Sequence, residues 1–95
     1  MTTKQTQNLL TAFTKLKTEK EAKNFLKDLL TPAEIDEFET RFQIAKLLWT
    51  TKMSYAQIAK KLNTSTTTVT RVARFLHKEP YKGYKTVLKR LYTQN

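Results

Sequence analysis

The stretch from Met53 to Phe75 constrains the fold more than any other part of this chain. Helical spacing places six apolar residues on two faces, separated by a single Asn: Ile58, Ala59 and Leu62, then Val69, Val72 and Ala73. Asn63 falls where the chain must turn, and Asn enters the left-handed region that often ends a helix. The small Ala59 would let a second helix approach closely. This spacing predicts a helix-turn-helix, a unit suited to placing its second helix in the major groove of DNA.

The positive charge is concentrated in the half of the chain that holds this motif. The net charge is +10, and residues 51–95 carry ten basic side chains and one acidic one, against eight and seven in residues 1–50. Such asymmetry indicates a polyanionic partner. Charge alone would equally suit RNA, an anionic membrane or a solubilising surface. Together with the motif, it favours double-stranded DNA.

Length and composition exclude several other classes of protein. The 95 residues predict one domain, 1–95. The chain lacks Cys, which excludes disulfides and thiolate metal sites. It also lacks a signal-peptide core and an apolar run of roughly 20 residues, so we expect no membrane partner and a location in the bacterial cytoplasm, at the nucleoid. One Gly and one His leave no constellation for catalysis, and we expect neither an enzyme nor a metal or cofactor.

Helical periodicity and capping signals predict an all-α fold of six helices. Three predicted helix N-termini combine a hydroxyl N-cap residue with Glu or Gln three residues later: Thr18 with Glu21, Thr31 with Glu34, and Ser54 with Gln57. Ser65 is a further candidate N-cap. We expect the first helix over about Thr3–Lys17, the third up to about Thr50, and the last over about Gly83–Thr93.

The third predicted helix is apolar on two faces. Its residues fall into a main stripe and a second one: Ile35, Phe38, Phe42, Ala45 and Trp49, then Ile44, Leu47 and Leu48. A helix with one side in solvent needs only one apolar stripe. The second stripe therefore predicts a further neighbour, either a second copy of the chain or the chain's own helices.

These features resemble the Trp repressor family over about residues 29–76. Five segments match its pattern at the same spacings: Leu30-Thr31-Pro32, Thr40-Arg41, Leu47-Leu48, Met53-Ser54 and Thr68-Val69-Thr70-Arg71. The ending is more similar to the Trp repressor-related YerC/YecD group, through Phe75-Leu76-His77 and Gly83-Tyr84-Lys85. The resemblance implies an intertwined homodimer, with dimerisation helices in 1–50, a helix-turn-helix in 53–77 and a C-terminal helix in 83–93. The two helix-turn-helix units of the dimer would bind DNA half-sites about 34 Å apart.

The family's tryptophan pocket is only partly matched. The resemblance assigns it to Leu30 and Thr31 of a partner chain and to Arg41 and Arg71, which match the two arginines that sandwich the indole. Val72, however, stands where the family has Gly, and Phe75 where it has a Ser that helps to hold the ligand's amino group. Asp28 likewise replaces an apolar wall residue.

These replacements predict a vestigial effector pocket and no dependence on tryptophan. Loss of a polar partner alone costs about 1–3 kcal/mol. We therefore expect no small-molecule effector. The ring of Phe75 would then fill part of the indole slot and hold the helix-turn-helix in its DNA-binding conformation. The alternative is that this ring packs in the ordinary core.

Ten residues are predicted to contact DNA. They comprise basic side chains for phosphates and the exposed face of the second motif helix: Lys52, Tyr55, Lys60, Lys61, Ser65, Thr66, Thr67, Thr70, Arg71 and Arg74. Thr offers a methyl to thymine and a hydroxyl to phosphate or base edges, whereas bidentate reading of guanine needs an arginine. Arg71 is either a reader or a structural residue. Because Thr is a weak helix former, this helix should be loose in the free protein.

The leading hypothesis is a homodimeric, sequence-specific transcriptional regulator, acting as a repressor. Two alternatives remain at this point: a DNA-targeting module of a replication or transposition complex, and a structural protein that binds nucleic acid without sequence preference. Competition with random DNA separates them, because only a specific binder prefers one site well above its salt-dependent background.

Overall fold

A computed structural model describes residues 3–92 of the chain and confirms the all-α prediction. Six helices and no strand occur in this part of the chain: α1 (Lys4–Thr14), α2 (Glu19–Leu29), α3 (Pro32–Thr50), α4 (Tyr55–Lys61), α5 (Thr66–His77) and α6 (Gly83–Leu91). They fall into two compact units, one extending to Ile35 and the other beginning at Asp36.

The first unit holds α1 and α2, and neither helix contains a buried residue. Its aromatic contact joins Phe13 edge-on to Phe25, with ring centroids 5.4 Å apart. The predicted end of the first helix at Lys17 is wrong, because α1 stops at Thr14. The backbone N–H of Lys15 donates to the carbonyl of Ala12, and this tight i to i−3 bond closes the last turn.

The capping signals of α2 and α3 have different outcomes. At α2, Thr18 accepts from the N–H of Glu21 as predicted, but the Glu21 carboxylate accepts from the N–H of Lys17 instead of returning to the cap residue. At α3, the reciprocal box is complete: Thr31 accepts from the N–H of Glu34 at 3.2 Å, and the Glu34 carboxylate accepts from the N–H of Thr31 at 2.9 Å. The bond from the Thr31 backbone N–H to the carboxylate, with a further contribution from the Thr31 side chain, lowers the pKa of Glu34.

The second unit contains the core of the molecule. Its buried residues come from four helices and form one cluster: Ile44, Ala45, Ile58, Ala59, Val69, Val72, Leu76 and Leu88. Ile44 and Ala45 are fully buried, whereas Phe38 of the same helix is half exposed. Both apolar stripes of α3 therefore contribute to this core, since Phe42, Leu47, Leu48 and Trp49 also pack against it, whereas Phe38 lies on surface that the unit leaves open.

Among the four large apolar side chains of α6, which are Tyr84, Val87, Leu88 and Leu91, only Leu88 is fully buried. Tyr84 is half-buried, while Val87 and Leu91 are exposed. A helix of nine residues presents only a narrow stripe to its neighbours, so residues beside Leu88 stay open. The helix ends at Leu91, and the predicted end at Thr93 lies outside the described residues.

Candidate DNA-binding head

The turn between α4 and α5 is built as the sequence predicts. Asn63 has φ 54°, the left-handed conformation. The N–H of Thr64 donates to the carbonyl of Ala59 at 2.9 Å, and the N–H of Asn63 donates to that of Lys60 at 3.3 Å. This pair of bonds is a Schellman motif, which satisfies carbonyls at the end of α4. Residues 53–77, hereafter the head, thus form a helix-turn-helix.

The starts of both head helices are fixed by side-chain caps. Ser54 and Gln57 form the predicted capping box, with bonds of 3.1 and 2.8 Å. Ser65 accepts from the N–H of Thr68 at 3.1 Å and its Oγ lies 3.0 Å from the Thr68 hydroxyl, so it forms the predicted N-cap, while its contact with DNA stays a prediction. Inside the head, Ile58 and Val69 are fully buried. The relative position of the two helices is therefore set by the core.

Replacing Asn63 tests this turn. We expect Asn63→Ala to lower the free energy of unfolding by about 1 kcal/mol, because a left-handed backbone costs a residue with a Cβ about 1–2 kcal/mol, a cost that Asn partly relieves. Asn63→Gly should be neutral or stabilising, since Gly adopts this conformation freely. Urea denaturation of the two variants measures the difference. Equal stability of the Ala and Gly variants would contradict a strained turn at this residue.

The exposed face of α5 brings together five of the ten predicted DNA contacts. A surface groove of about 470 Å³ is lined by these residues and one aromatic ring: Thr66, Thr67, Thr70, Arg71, Arg74 and Phe75. The remaining predicted contacts lie elsewhere in or beside the head. Lys60 and Lys61 are exposed at the end of α4, Tyr55 begins that helix, and Lys52 is exposed just before it.

The hydroxyl of Thr70 is already engaged. Its Oγ1 donates to the carbonyl of Thr66 at 2.8 Å. This local bond competes with any base or phosphate for the same proton. Thr70 therefore offers DNA chiefly its methyl group, which suits contact with the methyl of thymine.

Arg74 carries a partner that the sequence pattern did not reveal. Its Nε donates to the Glu79 carboxylate at 2.8 Å. Glu79 lies just beyond α5, and its own N–H donates to the carbonyl of Arg74 at 3.1 Å. The available signal was that Glu79 is the one acidic residue among residues 51–95.

Phe75 lies in the place that the predicted effector pocket requires. The Arg71 guanidinium sits 4.9 Å from the centre of the Phe75 ring, within the range of a cation–π contact. Tyr81 stacks on the same ring, with centroids 6.4 Å apart. Arg71 is thus held against an aromatic ring while it also lines the groove on α5, so its role as reader or as structural residue stays a prediction.

Beside the groove of about 470 Å³ on α5, the Phe75 ring lines two further cavities, and the larger, of about 480 Å³, is also lined by Phe42, Tyr81, Gly83, Tyr84 and Val87. Arg41, Arg71, Val72, Phe75 and Tyr84 line a cavity of about 170 Å³. Small-molecule sites usually occupy about 300–1,000 Å³. Burial raises the pKa of Tyr84, while the guanidiniums of Arg41 and Arg71 act to lower it. The cavity that holds four of the residues matched to the pocket is thus smaller than a usual small-molecule site, and its vestigial character stays a prediction.

The other two residues assigned to the pocket end one helix and begin the next. Leu30 is half-buried and follows α2, and Thr31 caps α3. The resemblance assigns both to the partner chain of a dimer, so their part in the pocket stays a prediction.

Comparison with known proteins identifies the fold and the family. The sequence profile of the Trp repressor protein family matches residues 4–92. The chain belongs to the Trp repressor family. It is similar to a TrpR-like protein from Eubacterium eligens ATCC 27750, with 35% identity, a TM-score of 0.87, and 98% of this chain and 94% of that one covered. Among proteins of curated function, none is significantly similar in sequence.

A second solved structure supports the same family. A candidate Trp repressor from Staphylococcus aureus has 29% identity and a TM-score of 0.88, with 99% of this chain and 92% of that one covered. The Trp repressor family is a family of DNA-binding transcriptional regulators, and membership places the chain in that class.

The described part of this Trp repressor-family chain contains neither a candidate metal cluster nor a candidate membrane-spanning helix. Residues 3–92 contain no cluster of three or more His, Cys, Asp or Glu side chains that could hold a metal ion. Over the same residues, no helix has the length and apolar character needed to cross a membrane.

The Thr-rich start of α5 is expected to open more readily than the core of α3. Thr64 lies before the helix, so four Thr residues within α5 carry the propensity cost, about 2 kcal/mol in all. We expect amides 66–70 to exchange faster with deuterium than amides 44–49 of α3, and to slow when DNA binds. Equal protection of the two segments in the free protein would contradict this prediction.

Lys60 and Lys61 are expected to contact phosphates. If both do, the double variant Lys60→Gln, Lys61→Gln should lower the slope of log affinity against log salt by about 0.9 for each lysine. The matched control is Lys20→Gln, Lys23→Gln, which removes two exposed charges from α2. Binding of a random duplex between about 50 and 200 mM salt measures both slopes. An unchanged slope in the first variant would remove α4 from the interface.

Proposed function

We propose that this protein is a sequence-specific transcriptional regulator that represses genes as a homodimer, working at the bacterial nucleoid. The observation that carries the proposal is the groove along α5, where three Thr and two Arg side chains lie together on the exposed face of a capped, core-anchored helix. A helix whose exposed face is polar and cationic is suited to reading the major groove. The surrounding excess of basic residues supplies attraction to phosphate.

Exposed apolar surface supports the homodimer. Both units expose large apolar side chains, which include Leu9, Leu10, Phe13, Leu29, Phe38, Val87 and Leu91. The helices α1 and α2 bury no residue, so folding of the first unit by itself has little to stabilise it. A second copy that covers residues 1–50 would remove this surface from water. On this proposal residues 1–50 form the dimerisation segment of a single domain.

Independence from tryptophan is the second part of the proposal. On this proposal the Phe75 ring against Arg71 takes the role that an indole would otherwise fill, and the buried Val72 lines the same cavity. The head would therefore hold its DNA-binding conformation whether or not tryptophan is present. Titration calorimetry with L-tryptophan should give no binding heat, and a micromolar affinity would overturn this part.

Capture of sheared DNA from the bacterium that encodes the protein tests the proposal as a whole. A specific regulator should recover a few discrete genomic sites upstream of genes, each well above the background of competing DNA. Uniform recovery of all fragments would instead indicate a structural protein that binds without sequence preference. Recovery confined to a replication origin or to transposon ends would indicate a DNA-targeting module.

A further inference from the structure

The contact between Arg74 and Glu79 is unusual in its setting. Residues 51–95 carry ten basic side chains and a single acidic one, and that one bonds an arginine on the exposed face of α5. The Glu79 side chain is 22% exposed, and the Arg74 side chain is 67% exposed. A carboxylate this close to a predicted DNA surface repels phosphate, so its presence needs an explanation.

The chemistry of the bond leaves the reading end of the arginine free. Glu79 accepts from Nε, the nitrogen nearest the side-chain stem. The two terminal amino groups carry four more N–H donors. Within residues 3–92 these groups make no hydrogen bond and no other ion pair. They are therefore free to donate to the two acceptors, O6 and N7, that guanine presents in the major groove.

The geometry of α5 places Arg74 in line with the other groove residues. Thr66, Thr70 and Arg74 are spaced four apart, so they lie along one stripe of the helix, and all three line the same groove. At 1.5 Å per residue, Arg74 lies about 12 Å along the axis from Thr66. That spacing corresponds to a separate base step from the one that the start of α5 would meet.

A purely structural role explains the bond poorly. Exposed ion pairs contribute little to stability, and long arginine side chains lose rotamer freedom when they are held in one geometry. The same loss becomes useful for binding, because an arginine already held in the reading geometry has less freedom left to lose when DNA arrives.

We propose that Glu79 is a positioning residue that holds Arg74 by its Nε, so that the terminal amino groups of Arg74 read one guanine in the operator. Arg74 supplies the base contact, and Glu79 acts through it without touching DNA. The proposal deepens the sequence-specific binding proposed above and rests on it.

The test measures base preference at single positions. Sites selected by the wild-type protein define the preferred duplex, and fluorescence anisotropy then compares duplexes that differ at one base pair. We expect Arg74→Ala to abolish preference for one guanine that the wild type favours by about tenfold or more. Glu79→Ala should reduce the same preference to about threefold or less, leave all other positions unchanged, and not weaken binding of random DNA.

Three further variants separate positioning from charge and folding. Glu79→Gln keeps an oxygen that can accept from Nε and should retain part of the guanine preference. Glu39→Gln removes one negative charge from an exposed residue of α3 and should change no base preference. Adding Glu79→Ala to Arg74→Ala should have no further effect on that position. All variants should melt within a few degrees of the wild type, which a role at the surface predicts.

The outcomes distinguish this inference from the proposed function. If the wild type selects a site and Arg74→Ala removes a guanine preference that Glu79→Ala leaves intact, Arg74 reads unaided and the inference is overturned. If no guanine preference depends on Arg74, the inference is likewise overturned while the proposed function stands. If the wild type selects no site at all, the proposed function fails and the inference fails with it.

Discussion

Replacing Leu88 with Ala should lower the free energy of unfolding by about 2–5 kcal/mol, the range for truncating a buried leucine. Leu88 is fully buried and is the side chain by which α6 enters the core of the second unit. Removing it deletes apolar contact from α6 and leaves a cavity beside residues of α3 and α5. Because a small domain has only about 5–15 kcal/mol of stability, a large fraction of the molecules would unfold on mild heating.

Leu91 provides the matched control for this substitution. It lies on the same helix one turn away, and it is 58% exposed. Leu91→Ala should cost less than about 1 kcal/mol in urea denaturation of the folded chain. Any cost that grows as the protein is diluted belongs to association between copies and not to this core. Equal, concentration-independent losses at both positions would contradict the placement of α6.

Replacing Phe75 with Ala should weaken DNA binding by about tenfold or more, which corresponds to about 1.4 kcal/mol. The ring contacts both the Arg71 guanidinium and the Tyr81 ring, and it lines a cavity together with Val72. Without it, Arg71 loses the surface that orients it toward the groove on α5. Stability should fall as well, though by less than the 3–5 kcal/mol typical of a fully buried Phe, because the ring is only half-buried.

Two comparisons make the Phe75 result specific. Tyr81→Ala removes the exposed partner of the stack but leaves Phe75 against Arg71, and it should change DNA affinity by less than about threefold. Indole added to Phe75→Ala should restore part of the lost affinity, because an aromatic molecule can enter an apolar cavity left by truncation. Undiminished binding by a folded Phe75→Ala protein would show that the ring does not set the head.

The turn and the caps of the head were predictable because each depends on one or two residues close in sequence. Asn63 takes the left-handed conformation that few other residues tolerate, and Ser54 with Gln57 forms a box whose partners are three residues apart. Local features of this kind can be predicted directly from the residue types. The end of the first helix was not predictable in this way, because nothing in its sequence marks Thr14 rather than Lys17 as the last helical residue.

Features that depend on which face meets which neighbour were not predictable in the same way. Periodicity groups Leu88 with Leu91, but only the position of α6 makes one buried and the other exposed. The contact of Glu79 was not predictable from the sequence, because it depends on a hydrogen bond to Arg74 across the end of α5. The two apolar stripes of α3 likewise indicate that a neighbour exists without identifying it.

Selection of bound duplexes from a random DNA pool, carried out with and without L-tryptophan, tests the central claim most directly. We expect enrichment of one inverted repeat whose half-sites lie about one helical turn apart, the spacing of two heads on a homodimer. The enriched sequence and its affinity should be the same in both pools. Failure to enrich any sequence, or enrichment only when L-tryptophan is present, would contradict a sequence-specific, tryptophan-independent dimer.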